Sequence, residues 1–95
     1  MGLMEFDWDR NNLRKIRGHR IDQDEAEQAL LNDPIPIYAQ AAEGEQRCVY
    51  YGVTNKGRLL ALIVTERTSK IRVVTAYDLD AGQKRDYRLR RTKGE

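Results

Sequence analysis

The sequence predicts a small α+β domain of two layers: an antiparallel sheet of three to five strands, two helices before it and one after it. Three observations carry this. Two short helical segments with their own capping residues occupy the first third of the 95 residues. After Pro34 the hydrophobic period changes from helical to two. The links between the later apolar runs, Asn55-Lys56-Gly57 and RTSK (67–70), are too short for a parallel crossover, so those strands must run antiparallel.

Each element follows from local chemistry. Phe6 and Trp8 alternate with Asp7 and Asp9, which suits a short first strand, and Asp9 can cap the helix after it. That helix, NNLRKIR, places Leu13 and Ile16 on one face, and Gly18 fits the left-handed residue past its end. Asp22 and Glu25 form a capping box for QDEAEQALL, with Ile21 and Ala26 at the staple positions. His19 therefore sits in the corner between two helices. Pro34 and Pro36 restrict IPIYA to an edge strand. In QRCVYYGVT, Arg47, Val49, Tyr51 and Val53 share one face, and Cys48, Tyr50 and Gly52 share the other. RLLALIVTE is apolar on both faces, as in a central strand. In IRVVTAY, strict alternation puts Arg72 on an exposed face with Val74 and Ala76, opposite Ile71 and Val73. Asp80 and Gln83 cap a last helix, AGQKRDYRLRR, whose apolar face is thin and anchored by Tyr87. The core is expected over residues 6–90 of one domain, with a disordered basic tail at 91–95.

Composition narrows the function classes. With 40% hydrophobic and 34% charged residues, the chain lies in the globular regime. It has no apolar run long enough for a membrane span. MGLMEFDWD lacks the regions of a signal peptide, and Phe6 occupies the Ser/Thr position of a myristoylation signal. One cysteine, Cys48, forms no internal disulfide, and no Cys/His cluster suits zinc. A cytoplasmic protein without metal or cofactor is expected. The net charge of +2 hides an uneven split, −5 over residues 1–46 and +7 over 47–95. Such asymmetry suits a nucleic-acid or acidic partner, although an acidic helix and a solvated basic tail also produce it.

No P-loop, dinucleotide fingerprint or nucleophile elbow is present. What remains is a basic and phenolic set on and beside the sheet: Arg47, Arg58, Arg67, Arg72 and Tyr77, with His19 and Lys15 nearby. Lys84, Arg85 and Arg88 extend it along the last helix. Such a set suits cleavage of RNA by its own 2′-hydroxyl, which needs a base, an acid and positive charge on the phosphorane. Arginine supplies the charge in a bidentate geometry. Lys15, Arg58, Lys84, Arg85 and Arg88 are the expected RNA contacts. DNA binding through the helix corner is disfavoured, because Asp22, Asp24, Glu25 and Glu27 would repel a phosphate backbone.

The order of motifs resembles the BrnT family of bacterial toxins. FDWDRNNLRKIRGHRIDQDEAEQALLNDP resembles the family's opening, and GEQRCVYYGVTNKGRLLALIVTER and IRVVTAYDLDAGQKRDY continue the series over residues 6–88. The resemblance implies a RelE-like fold and a ribonuclease toxin acting on free or ribosome-bound mRNA. An antitoxin encoded alongside, itself binding operator DNA, would neutralise it; a homodimer is left open. It also implies catalytic positions at His19, Arg47, Arg67 and Arg72. Tyr77 departs from the family, which places arginine after Ser-Ala where this chain has Thr75-Ala76-Tyr77. RelE-like nucleases use tyrosine in their sites, so Tyr77 joins the catalytic set. The alternative is a RelE-like interaction domain that binds antitoxin or nucleic acid without cutting.

Overall fold

The computed structural model describes residues 4–93. Two helices, α1 (Arg10–Arg17) and α2 (Gln23–Leu31), lead into β1 (Ile35–Ala42), β2 (Glu45–Val53), β3 (Leu59–Arg67) and β4 (Lys70–Asp78). A third helix, α3 (Ala81–Lys93), comes last. The strands form one antiparallel meander in the order β1-β2-β3-β4. The Phe6–Trp8 strand shrinks to a single parallel bridge between Phe6 and Ile71 on the outer edge of β4. Two backbone bonds hold it, Asp7 N–H to the Ile71 carbonyl (2.8 Å) and Ile71 N–H to the Glu5 carbonyl (2.9 Å).

Asp9 starts α1 by accepting the N–H groups of Asn11 (2.9 Å) and Asn12 (3.2 Å). Asn12 reciprocates, its Oδ1 accepting the Asp9 N–H (2.8 Å), while its Nδ2 donates to the Asp7 carbonyl (2.9 Å). Thus Asn12 is buried with its amide satisfied at both ends. The far end differs from expectation. Gly18 stays right-handed (φ −59°), and Arg20 takes the left-handed position (φ 59°). The helical path runs two residues further, and the Ile21 N–H reaches back to the Ile16 carbonyl (3.0 Å) while the Arg20 N–H reaches that of Arg17 (2.9 Å). This is a Schellman end, and its hydrophobic contact is supplied by Ile16 and Ile21, both buried. A left-handed arginine stores about 1 kcal/mol that glycine would not. Arg20→Gly should therefore raise stability by about 1 kcal/mol, seen as a several-degree increase in Tm.

The capping box of α2 is present, with the Asp22 N–H donating to Glu25 Oε1 (3.0 Å). At its other end Asn32 Nδ2 donates to the Val53 carbonyl (2.9 Å) and to Asn55 Oδ1 (3.0 Å), fixing the helix to the β2–β3 loop. Trp8 Nε1 donates to Glu27 (2.7 Å), tying the N-terminal segment to α2.

The sheet has two apolar faces, and each is covered differently. On one, Leu60, Leu62, Val64, Val73 and Ala76 pack under Ile16 of α1 and Ala26, Ala29 and Leu30 of α2, with Cys48 and Tyr50 partly buried beside them. Strict alternation sets Ala76 with Arg72, opposite Val73, and the structure corrects this. A bulge between Val73 and Thr75 leaves Val74 unpaired and turns Ala76 into this core. On the other face, α3 covers only one end: Tyr87 packs with Tyr51, Ala61, Tyr77 and Leu79. No residue of α3 is buried, in keeping with its thin apolar face. The helix continues through Lys93, so residues 91–93 of the expected tail are ordered in it. Arg91 holds them, bonding to Asp33 and lying over the Tyr87 ring. Gly94 and Glu95 lie outside the described residues.

Candidate functional site

The remaining half of that second face is open. Register builds it: Arg47 on β2 and Arg72 on β4 both lie opposite Thr65 on β3, so the three stand side by side in a row. Two strand spacings separate the arginine backbones, about 10 Å. Two residues further along the same face stand Glu45 on β2 and Arg67 on β3, with Arg67 Nη2 3.9 Å from Glu45 Oε1. The wall is α1, whose Asn11, Arg14 and Lys15 share the i, i+3, i+4 flank beside the core-facing Leu13 and Ile16. These residues, with Asn12 and Val74, line a pocket of about 410 Å³. The bulge at Val74 falls on its rim, a place where bulges commonly re-aim side chains.

Five of the lining side chains are cationic, and one is anionic. Arg72 is the most enclosed. Its side chain is only 12% exposed, against the expectation of an open sheet-face residue, because the N-terminal segment folds over it. Its Nη2 donates to Asp9 (3.1 Å to Oδ1), and its Nη1 lies 3.5 Å from Asp7 Oδ2 with no closer partner. The Arg72 hydrogen bond, with the helix N–H groups, holds the Asp9 carboxyl below its usual range, and the same bond raises the Arg72 guanidinium. Arg47 is also partly covered, at 22% exposure, with its Nε donating to Glu45 Oε2 (3.0 Å). Arg67 is open, and Arg14 and Lys15 form no ion pair among the described residues.

The residues singled out from sequence thus separate into groups. Arg47, Arg67, Arg72 and Lys15 meet in the pocket. His19 and Tyr77 meet elsewhere, their ring centroids 6.1 Å apart. Tyr77 pairs with Ala61 as Arg72 pairs with Thr65, so this corner lies four β3 residues along the same face, about 13 Å from the arginine row. Lys84 and His19 both act on the Asp78 carboxylate there, though the largest cause of its lowered pKa is the hydrogen bond from Arg58. Arg85 and Arg88 are exposed on α3 and line no part of the pocket.

Arg58 is not an open RNA contact. Its Nε and Nη2 grip Asp78 (2.7 and 3.0 Å), its Nη1 reaches Glu25 (3.0 Å) and the Arg20 carbonyl (2.9 Å), and its Nη2 also reaches the His19 carbonyl (3.3 Å). All five donors are used within the protein, leaving none for a phosphate. The hydrogen bond to Asp78 raises its pKa still further above the arginine norm.

Sequence reasoning missed Asn11, Arg14 and Glu45 as site residues. Arg14 carried a usable signal, since it comes three residues after Asn11 and precedes Lys15 on a helix whose core residues are Leu13 and Ile16. Glu45 had none of its own, because an acid in a basic site reads from sequence as an ordinary surface charge.

A family model described as "Ribonuclease toxin, BrnT, of type II toxin-antitoxin system" matches residues 8–82, which include every residue lining the pocket. No curated protein matches the chain.

Proposed function

The chain belongs to the BrnT family of ribonuclease toxins of type II toxin-antitoxin systems, and on that premise we propose that it is a metal-independent endoribonuclease acting on mRNA. The observation that carries this reading is the cluster of Arg14, Lys15, Arg47, Arg67 and Arg72 around one open pocket. Cleavage by the adjacent 2′-hydroxyl builds negative charge on the phosphorane oxygens. Guanidinium groups held in place before the reaction stabilise that charge without reorganisation. Arg47 and Arg67 meet the phosphate from the sheet, and Arg14 and Lys15 meet it from the helix. Arg72, pinned by Asp7 and Asp9, supplies a fixed positive charge at the inner end. His19 and Tyr77 contact the strand about 13 Å beyond the scissile phosphate, taking nucleobase rather than phosphate.

Family membership implies an antitoxin partner. In this reading the partner binds DNA, works in the cytoplasm and covers the cationic pocket with an acidic segment until it is released. Among the described residues no helix is long and apolar enough to cross a membrane.

Two measurements test the reading. Expression of the protein alone in a bacterial host should arrest growth and fragment mRNA. Normal growth with intact transcripts, despite soluble protein, would favour a binding domain that does not cut. Purified protein should cleave single-stranded RNA equally well in excess EDTA, and loss of cleavage on chelation would remove the metal-independent mechanism. Arg47→Ala should slow cleavage by about 10²-fold while circular dichroism stays native, as loss of one preorganised donor to the transition state predicts. Arg72→Ala should lose activity and stability together, since it also frees Asp7 and Asp9.

A further inference from the structure

The pocket holds its cations clearly, but a 2′-hydroxyl also needs a base and the leaving oxygen an acid. Neither expected donor stands there, because His19 and Tyr77 lie at the other end of the face. The lining groups can be sorted by whether they can exchange a proton at all. Arginine guanidinium holds its protons throughout the working pH range, and the amides of Asn11 and Asn12 neither gain nor lose one. Asn12 is in any case committed to Asp9 and Asp7. Val74 has nothing to offer. Asp7 and Asp9 are engaged by Arg72 and the start of α1, and neither lines this pocket. Two lining groups remain, the carboxylate of Glu45 and the ammonium of Lys15.

Resting on the ribonuclease reading, we propose that Glu45 is the general base of this pocket and Lys15 its general acid. Glu45 takes the proton of the 2′-hydroxyl as that oxygen bonds to phosphorus. The bond from phosphorus to the 5′-oxygen breaks, and Lys15 gives that oxygen a proton. The products are a 2′,3′-cyclic phosphate and a 5′-hydroxyl end; solvent returns the proton to Lys15 and removes it from Glu45. Glu45 rises from β2 and Lys15 from α1, so the two groups enter the pocket from different elements, the arrangement that an in-line displacement with a separate base and acid requires. The contacts from Arg47 (3.0 Å) and Arg67 (3.9 Å) hold the Glu45 carboxylate beside the two arginines that line the same pocket.

The test is cleavage of a short single-stranded RNA by the full-length wild type and by E45Q, E45D and K15M. The same RNA carrying sulfur in place of the leaving 5′-oxygen at the mapped cleavage position is the second substrate. At saturating RNA, E45Q should be slower by about 10²–10⁴-fold while binding RNA as tightly as the wild type or more so, since a negative charge has been removed. E45D keeps a carboxylate and should retain more activity than E45Q. K15M should be slow on ordinary RNA and recover to within about tenfold of wild type on the sulfur substrate, whose thiolate leaves without a proton; E45Q should not recover. A merely structural Lys15 would not respond to the leaving group, and a merely structural Glu45 would weaken RNA binding or folding in E45Q rather than slow cleavage at saturating RNA alone. Cleavage by E45Q at the wild-type rate, or faster because Glu45 only shields the arginines, overturns the base assignment. A K15M variant equally slow on both substrates overturns the acid assignment. Wild-type protein that leaves RNA intact overturns the ribonuclease reading itself, and this inference with it.

Discussion

Gly52→Val should cost the protein more than about 3 kcal/mol, a large part of its stability at 25 °C. Gly52 lies on β2 where α2 crosses the sheet, and any Cβ built there runs into the backbone carbonyl of Ala29 and its own Cβ. The obstacle is helix backbone, which cannot swing aside as a flexible side chain would. To admit even a methyl group, α2 must lift from Leu60 and Leu62, parting the apolar cluster that includes Ala26, Ala29 and Leu30. Overpacking of this kind costs about 1–3 kcal/mol where the surroundings can yield. Gly52→Ala should therefore lose about 3 kcal/mol, a fall in Tm of roughly 12–24 °C for a domain of this size. Gly52→Val must lose more, against a total stability of about 5–10 kcal/mol. Gly44 supplies the control. It has φ +80° in the β1–β2 turn with open space around it, so Gly44→Ala meets only backbone strain of about 1 kcal/mol. Thermal melts of the two alanine variants separate the explanations. Equal losses would mean that glycine flexibility, and not the closeness of α2, governs position 52.

The same glycine shows what the sequence displayed and what it withheld. Its strand, its face and its neighbours Cys48 and Tyr50 followed from period-two alternation. The helix pressed against it did not, because close approach is a property of two elements at once. The N-terminal caps were legible throughout: Asp9, Asp22 with Glu25, and Asp80 with Gln83 all act as their spacing requires. The errors arose where one residue interrupts a period. Strict alternation placed Ala76 beside Arg72, and a single unpaired Val74 reversed it. Gly18 looked like the left-handed end of α1, yet the buried pair Ile16 and Ile21 sets that end two residues later, at Arg20. At the site, the arginines of β2, β3 and β4 were legible as a set because strand register is regular. Which cations remain available was not legible. Arg58 and Arg72 differ from Arg67 only in the carboxylates that long-range folding brings to them.

Arg58→Ala should be the most damaging change of a charged residue. The side chain fastens three parts of the molecule: the corner carbonyls of His19 and Arg20, the first turn of α2 at Glu25, and the end of β4 at Asp78. Charged hydrogen bonds are individually worth about 1.5–3 kcal/mol, but they are not additive. Asp78 is 56% exposed, so water screens its share. A net loss of about 3 kcal/mol remains, and the helix corner loses its tie to the sheet. Arg58→Lys should recover under half of this, because a point ammonium cannot span Asp78 and Glu25 together. Acid gives an independent readout. Asp78 has a folded pKa below its ordinary value, chiefly through the Arg58 hydrogen bond, so its contribution is complete above the unfolded carboxyl value, near 4. That contribution drains away as pH falls through the lower folded value. Wild-type stability should drop below about pH 4, and Asp78→Asn should flatten the drop. Arg58→Ala should flatten it as well, since it removes the main cause of the shift; Asp9, held low by Arg72, keeps a smaller slope in both variants. If denaturant melts at pH 3 and pH 7 show Asp78→Asn falling as steeply as the wild type, the Arg58–Asp78 pair is not what fastens the corner.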